Sequence, residues 1–193
     1  MTIKVAKRDG TKKELDLDKM HKVVFFACDG IAGVSPSEVE IKSHIQFYDG
    51  ITSAEIQETL IKSAADLISE DTPNYQWVAG NLINYHIRKE VYGSFDPWHV
   101  KAIVEKNTAD GFYDSELLGS YDDDEWERIN AFVKHERDFN ISYVGMEQFR
   151  GKYLAQNRAT KQLYETPQVA YVLIAATLFS NYPKDTRMKW VKD

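Results

Sequence analysis

The stretch Val5-Ala6-Lys7-Arg8-Asp9-Gly10-Thr11-Lys12-Lys13-Glu14-Leu15-Asp16-Leu17-Asp18-Lys19 decides how the rest of the chain is read. Asp9-Gly10 is a turn dipeptide between two short extended segments, so the opening is expected to fold as an antiparallel hairpin. Behind it, Met20, Val23, Val24 and Ala27 recur at the helical period, with Asp18 as the expected cap and Gly30 as the stop. Residues 4–22 hold seven Lys/Arg against four Asp/Glu, in a chain whose formal net charge is −6. Local positive charge on an acidic protein points to one compact anionic ligand rather than a long nucleic acid, which needs a broad basic face. A hairpin whose lysines are merely solvated gives the same pattern, so the cluster alone leaves both readings open.

Outward from the hairpin the signals are helical. Ser35-Pro36-Ser37-Glu38 reads as a capping box with proline at the first helical position, opening a helix through Ile41, Ile45 and Tyr48 to Gly50. Thr52-Ser53-Ala54-Glu55 repeats that logic ahead of the apolar stripe Ile56, Leu60, Ile61, Ala64, Leu67 and Ile68. A fourth helix is expected from Pro73 through Val78, Leu82 and Tyr85 to Gly93, carrying Arg88 and Lys89 in its last turn. Residues 3–93 thus read as a hairpin plus four helices, with Phe95-Asp96-Pro97 as a joint. Beyond it the pattern predicts helices near 97–108, 122–136 and 142–153, then an apolar helix from Thr166-Pro167 to Phe179. Asp122-Asp123-Asp124 falls where a helix N-terminus favours carboxylates, so capping is preferred there to a metal or catalytic role.

Composition narrows the function classes. The chain has 193 residues, of which 43% are hydrophobic and 28% charged, enough apolar material for a core and too much for disorder. The one cysteine, Cys28, excludes an intramolecular disulfide and sits on an apolar helix face as a buried thiol. His21, His44, His86, His99 and His135 form no ligand-like pair, so no metal site is expected. No apolar run reaches membrane-spanning length and the N-terminus has no signal-like apolar segment, which predicts a cytoplasmic protein.

The dispersed motifs Val5 to His21, Ser43-His44-Ile45-Gln46-Phe47-Tyr48-Asp49-Gly50-Ile51, Ile61-Lys62-Ser63-Ala64-Ala65-Asp66-Leu67-Ile68, and Arg88-Lys89 with Tyr92-Gly93 resemble the ATP-cone that begins the large, catalytic (alpha) subunit of class I ribonucleotide reductases. Gly151-Lys152-Tyr153-Leu154, Gln156-Asn157-Arg158, Tyr164-Glu165 and Leu178-Phe179-Ser180-Asn181-Tyr182-Pro183 resemble the helical region that precedes that subunit's barrel, in the enterobacterial and T4-like phage type. The resemblance implies a mainly α fold with a small β-hairpin. An ATP-cone regulatory domain at 3–93 would be followed by a helical region at 97–193 that packs on a catalytic barrel.

That resemblance also implies an effector site for ATP or dATP, with Mg possible on the nucleotide. Carried over position by position, the triphosphate cations are Lys7, Arg8, Lys19 and Lys89, all basic here. Ser53, at a helix N-terminus, matches a hydroxyl position, and Val5 belongs to the same set. Lys13, Glu14, Leu15, Asp16, Leu17, Asp18 and Lys19 correspond to the segment that wraps the adenine and ribose. Lys13 stands where close relatives have Glu, Asp16 where they have Asn, and Gln57 where enterobacterial relatives have His. A neutral Gln57 cannot gain the charge of a histidine, so both nucleotides are expected to bind while dATP inhibition is weak or absent.

Reduction in the family uses a radical-carrying cysteine and a redox cysteine pair inside the barrel. Cys28 matches none of them, so no catalytic residue and no redox cofactor are expected on this chain. The resemblance places Met188-Lys189-Trp190-Val191-Lys192-Asp193 inside the family's next helix, which favours one piece of a split, bacteriophage-type subunit in a host cytoplasm. Its partners would be a barrel-bearing remainder and the radical-generating small (beta) subunit, together supporting deoxyribonucleotide biosynthesis for DNA replication; no nucleic acid or membrane partner is expected. Two other classes remain: a nucleotide-sensing regulator, which would need metal-binding cysteines for a zinc ribbon, and a helical adaptor without a ligand.

Overall fold

A computed structural model describes residues 3–7 and 10–193, so the expected roles of Arg8 and Asp9 lie outside the described residues. The fold is mainly helical with one two-stranded antiparallel sheet, as the sequence pattern implies. The chain packs as two compact units.

The first unit comprises residues up to His86 together with Phe139–Gln148. It opens with β1 (Lys4–Ala6) and β2 (Lys12–Glu14), paired so that Lys4 faces Glu14, Val5 faces Lys13 and Ala6 faces Lys12. Gly10 takes φ +81°, the left-handed turn conformation that only glycine adopts without strain. Next is α1 (Leu17–Cys28), whose buried residues Met20, Val23, Val24 and Ala27 are those the periodicity selects. Its cap is Asp16, whose Oδ1 accepts from Lys19 N at 2.9 Å, and not Asp18, which stands inside the first turn. The helix begins early because Leu15 N still completes the hairpin ladder on Ile3 O (2.9 Å), leaving Asp16 as the first residue able to turn.

α2 (Pro36–His44) keeps proline at its start, but the expected Ser35 capping box does not form. Tyr75 OH donates to Glu38 Oε2 and accepts from Ser35 N at 2.9 Å, so both members of the box are held by a tyrosine from another helix. The helix stops four residues before Tyr48 because the last turn tightens: Gln46 N bonds Ser43 O (2.9 Å), and the Gln46 amide takes Lys42 O (3.1 Å). α3 (Ser53–Ala65) has the expected capping box complete, with Glu55 N on Thr52 Oγ1 (3.1 Å) and Thr52 N on Glu55 Oε2 (2.8 Å). It ends before Leu67 and Ile68, whose N–H groups form short three-residue bonds to Ala64 O and Ala65 O.

α4 (Tyr75–Tyr92) contributes Val78, Ala79, Leu82 and Ile83 to the core of this unit, where they are completely buried. Gly80 permits a close backbone approach: a Cβ there would lie 2.3 Å from Ile141 O in the segment that leads into α8 (Tyr143–Gln148). Cys28 is buried, and desolvation pushes its thiol up to about 11, as expected of an unreactive core cysteine.

The second unit comprises Ile87–Asp138 and Phe149–Asp193. Around the last turns of α4 it assembles α5 (Val100–Ala109), α6 (Ser115–Ser120), α7 (Asp123–Phe132), α9 (Pro167–Phe179) and α10 (Lys184–Lys192). One core joins them through Val100, Ile103, Val104, Trp126, Ile129, Val169, Leu173, Ala176, Met188 and Val191. Asp122 caps α7 with Glu125 completing the box, the role its acidic triplet suggests. The expected continuous helix over 122–136 breaks at Phe132, and a 3₁₀ segment, His135–Asn140, follows. A π-helical turn, Phe149–Tyr153, succeeds α8 and likewise divides the helix expected over 142–153.

The N-terminus of α9 is capped from outside. Thr166 makes no side-chain cap because its Oγ1 pairs with Tyr92 OH (3.1 Å), and Asp138 Oδ1 instead accepts Gln168 N (3.0 Å). Asp138 is wholly buried, and desolvation pushes its carboxyl up to about 7 against the pull of Arg88. The folded state therefore holds this proton up to near neutrality, whereas the unfolded chain releases it near pH 4. That contribution is full below pH 4 and is lost as pH rises to about 7, on the order of 4 kcal/mol across the window. Asp138→Asn is expected to flatten this loss, so its melting temperature should gain on wild type between pH 5 and pH 8. Parallel melting curves against pH would contradict the assignment.

Candidate functional site

In the first unit, one side-chain bond, two main-chain bonds and a strand bridge fasten the hairpin to the loop before α3. Lys4 N donates to Asp49 Oδ1 (2.8 Å), Gly50 N to Lys4 O (2.8 Å) and Ala6 N to Ile51 O (2.9 Å), and Ala6 forms a parallel bridge with Thr52. Lys7 is the next residue, its N–H held by Thr11 O at 2.8 Å, so the hairpin cation leaves the sheet beside the start of α3. Val5 is buried in the core of the unit and anchors the strand.

The start of α3 supplies what an anion needs. The N-terminal N–H groups of a helix and its dipole favour negative charge, and Ser53 occupies the first helical position. Glu55 does not compete for that role with a loose carboxylate: Thr52 N and Tyr48 OH (2.9 Å) bind its two oxygens. Those bonds, with Thr52 foremost, hold its carboxyl below the ordinary range. Gln57 lies one turn after Ser53 on the same helix face. Its Oε1 is buried and has no hydrogen-bond partner among the described residues. A buried acceptor without a donor costs about 1–3 kcal/mol.

The remaining expected residues fall on the hairpin's second strand and on α1. Lys13 and Glu14 are exposed on β2; Leu15 is half-buried; Asp16, Leu17, Asp18 and Lys19 are exposed around the start of α1. Asp16 Oδ1 is already engaged on Lys19 N, so this member of the segment expected to wrap the adenine and ribose is also the helix cap. Leu17 and Asp18 line a cleft of about 500 Å³ between α1 and α2. His21 and Glu40 meet on its wall, with Nδ1 and Oε1 2.7 Å apart. Lys89 stands half-buried in the last turn of α4, in the second unit. There its neighbour Arg88 is buried, donating to His135 O (2.9 Å) over the Phe95 ring.

Two supports of the site escape sequence reading. The Thr52-to-Glu55 spacing announces the capping box, but nothing in the sequence places Tyr48 OH on Glu55. Equally, the unpaired oxygen of Gln57 is visible only once the packing around it is known. Among the described residues, no group of three or more His, Cys, Asp or Glu is placed to hold a metal ion, and no helix is long and apolar enough to cross a membrane.

Residues 3–90 match the ATP cone domain. Almost the whole chain aligns with reductase subunits. It is 48% identical over 191 residues to the ribonucleoside-diphosphate reductase subunit alpha of Haemophilus influenzae, covering 99% of this chain and 25% of that protein. The ribonucleoside-diphosphate reductase 1 subunit alpha of Escherichia coli is 48% identical over 188 residues (97% of this chain, 25% of the relative). The subunit alpha of Enterobacteria phage T4 is 38% identical over 191 residues (98% and 25%). The chain thus spans about a quarter of the length of these relatives. The chain thus carries an ATP cone domain in its first half and is 48% identical, along nearly its full length, to the N-terminal region of class I ribonucleotide reductase alpha subunits.

Proposed function

We propose that this chain is the adenine-nucleotide-sensing, regulatory N-terminal portion of a ribonucleotide reductase large subunit. The observation that carries the reading is the joining of Lys7 to the N-terminus of α3 by Ala6 N–Ile51 O and the Ala6–Thr52 bridge, with Ser53 and Gln57 on one face of that helix. In this reading the triphosphate is held by Lys7, Arg8, Lys19 and Lys89 with Ser53. The adenine and ribose lie against Val5 and the segment Lys13, Glu14, Leu15, Asp16, Leu17 and Asp18. Cations from separate parts of the sequence suit a folded polyphosphate, since each brings a point charge or a guanidinium fork from a different direction. Gln57 Oε1 is the natural acceptor for a ribose hydroxyl or the adenine amino group. Any Mg²⁺ would ride on the phosphates.

Regulatory residues 3–93 and the helical region 97–193 would then act within an assembly that contains the barrel-bearing remainder of the subunit and the radical-generating beta subunit. The split, phage-type arrangement and the cytoplasmic setting belong to the same proposal. Calorimetric titration of the chain with ATP and with dATP tests it: both are expected to bind one class of site, and the absence of heat or thermal stabilisation with either would overturn it. Discrimination is a separate expectation. A ligand shifts an assembly only by its differential affinity for two states, and these two ligands differ by one hydroxyl. With the neutral Gln57 near the sugar, dATP titrated into the reassembled reductase should leave most activity. Collapse to near zero, with a larger particle in light scattering, would show that glutamine preserves the switch.

A further inference from the structure

At the C-terminal end of α4 the second unit contains a cavity of about 230 Å³ that is lined by none of the residues in the proposed nucleotide set. Its walls include Glu90 and Tyr92 of α4, Trp98, Lys106 of α5, and Gln162 and Tyr164 from the segment that follows the π-helical turn. The charges around it do not cancel. Lys106 Nζ is held by Asp110 Oδ2 at 2.6 Å, so the one cation in the wall is already matched. Glu90 Oε1 accepts Leu163 N at 2.9 Å, while its Oε2 has no partner among the described residues. α4 also ends here, at Gly93 with φ +71°, and the last carbonyls of a helix add partial negative charge.

The rest of the wall suits a flat cation. The Tyr92 and Trp98 rings lie with centroids 6.2 Å apart, and Trp98 is 38% exposed, so an indole ring is open to a ligand. Aromatic faces attract cations, and indole does so best. The Gln162 side-chain amide makes no hydrogen bond among the described residues and offers a further acceptor. We infer that this cavity is a binding site for a guanidinium group, carried either by an arginine side chain of a peptide or by a free small molecule. The guanidinium plane lies on the Trp98 ring, one N–H meets Glu90 Oε2, and the others reach Gln162 and the carbonyls that end α4. An ammonium fits less well, because it is more strongly hydrated and brings three donors on a point charge rather than a planar fork of five. The volume is below the roughly 300–1,000 Å³ of pockets that enclose a whole drug-sized ligand, which suits one such group and its stem.

The test titrates the 193-residue chain with acetyl-Gly-Arg-Gly-amide, with the same peptide carrying citrulline, and with butylguanidinium. The Trp98 indole N–H resonance, assigned with Trp98→Phe, reports binding at the site. The arginine peptide is expected to shift it and to bind at least about tenfold more tightly than the citrulline peptide, which has the same shape without the charge. Glu90→Gln should weaken the arginine peptide at least about tenfold and leave the fold intact, since the glutamine oxygen can still accept Leu163 N. Glu116→Gln removes an exposed carboxylate of α6 and should change nothing, which separates the site from general attraction to a chain of net charge −6. Tighter binding of the peptide than of butylguanidinium assigns the site to a polypeptide arginine, and the reverse order assigns it to a free guanidinium compound. No shift of Trp98 at millimolar peptide overturns the proposal. Equal binding of the arginine and citrulline peptides, unchanged affinity in Glu90→Gln, or an equal loss in Glu116→Gln does the same.

Discussion

Lys7→Ala is expected to weaken ATP binding by about 10- to 150-fold, the worth of one charge-assisted hydrogen bond to a phosphate. The size follows from placement. The strand that delivers Lys7 is fixed at both ends, by Gly50 N–Lys4 O and by Lys7 N–Thr11 O, so the backbone does not have to be ordered when the nucleotide arrives. Its companion charge, the N-terminus of α3, survives the substitution and keeps residual affinity. Lys12→Ala is the matched control: Lys12 is exposed, lies across the ladder from Ala6, and is outside the proposed set, so it should change affinity only through screened long-range charge. Lys89→Ala should resemble Lys7→Ala. Calorimetry at two salt concentrations, with far-ultraviolet dichroism to confirm folding, measures all three. Unchanged ATP affinity in both Lys7→Ala and Lys89→Ala would remove the triphosphate assignment.

The parts of the fold legible in the sequence were those decided by local chemistry. Thr52 and Glu55 are three residues apart and need only each other to cap α3, and Asp122 with Glu125 does the same for α7. The identical reasoning failed at Ser35 because Glu38 is claimed by Tyr75, 37 residues away, a competitor that no local window contains. Asp16 and Asp18 are both able caps for α1, and a hydrogen bond from Leu15 to Ile3 selects the first. α6, six residues long and without a buried residue, is too short to show a period, and only Asp114 capping Glu116 N marks it. The site divides in the same way. Basic residues and the helix-start hydroxyl of Ser53 are readable as types, whereas the juxtaposition of Lys7 with α3 rests on long-range main-chain bonds, and the unpaired oxygen of Gln57 on three-dimensional packing.

The largest expected loss of stability lies far from any nucleotide. Arg187 of α10 reaches Glu125 of α7 with Nε on Oε1 (2.7 Å) and a terminal nitrogen on Oε2 (2.5 Å), while its other nitrogen donates to Ser180 O (2.8 Å). The guanidinium also lies 4.5 Å from the centre of the Tyr121 ring, and the two charged residues are only 9% and 4% exposed. Glu125 has a second duty as the third residue of the α7 capping box, which Asp122 and Lys184 extend into a network. Removing the arginine by Arg187→Ala therefore leaves a carboxylate buried without its cation, at a cost of about 3–5 kcal/mol, rather than the small loss of a surface pair. In a unit of this size that lowers the melting temperature by more than about 10 °C. Replacing both charges with apolar residues, Arg187→Met with Glu125→Leu, should recover part of the loss by ending the desolvation penalty, with the missing cap as the remainder. The pH dependence carries an independent sign. Arg187 holds the Glu125 carboxyl below the usual glutamate range, so the pair stabilises fully above that range and its contribution disappears as pH falls through the depressed value. The gap between wild type and Arg187→Ala should accordingly be wide at pH 7 and narrow toward pH 3. A gap of equal width at both pH values would mean that packing of the arginine stem over Tyr121, and not its charge, ties α10 to α7.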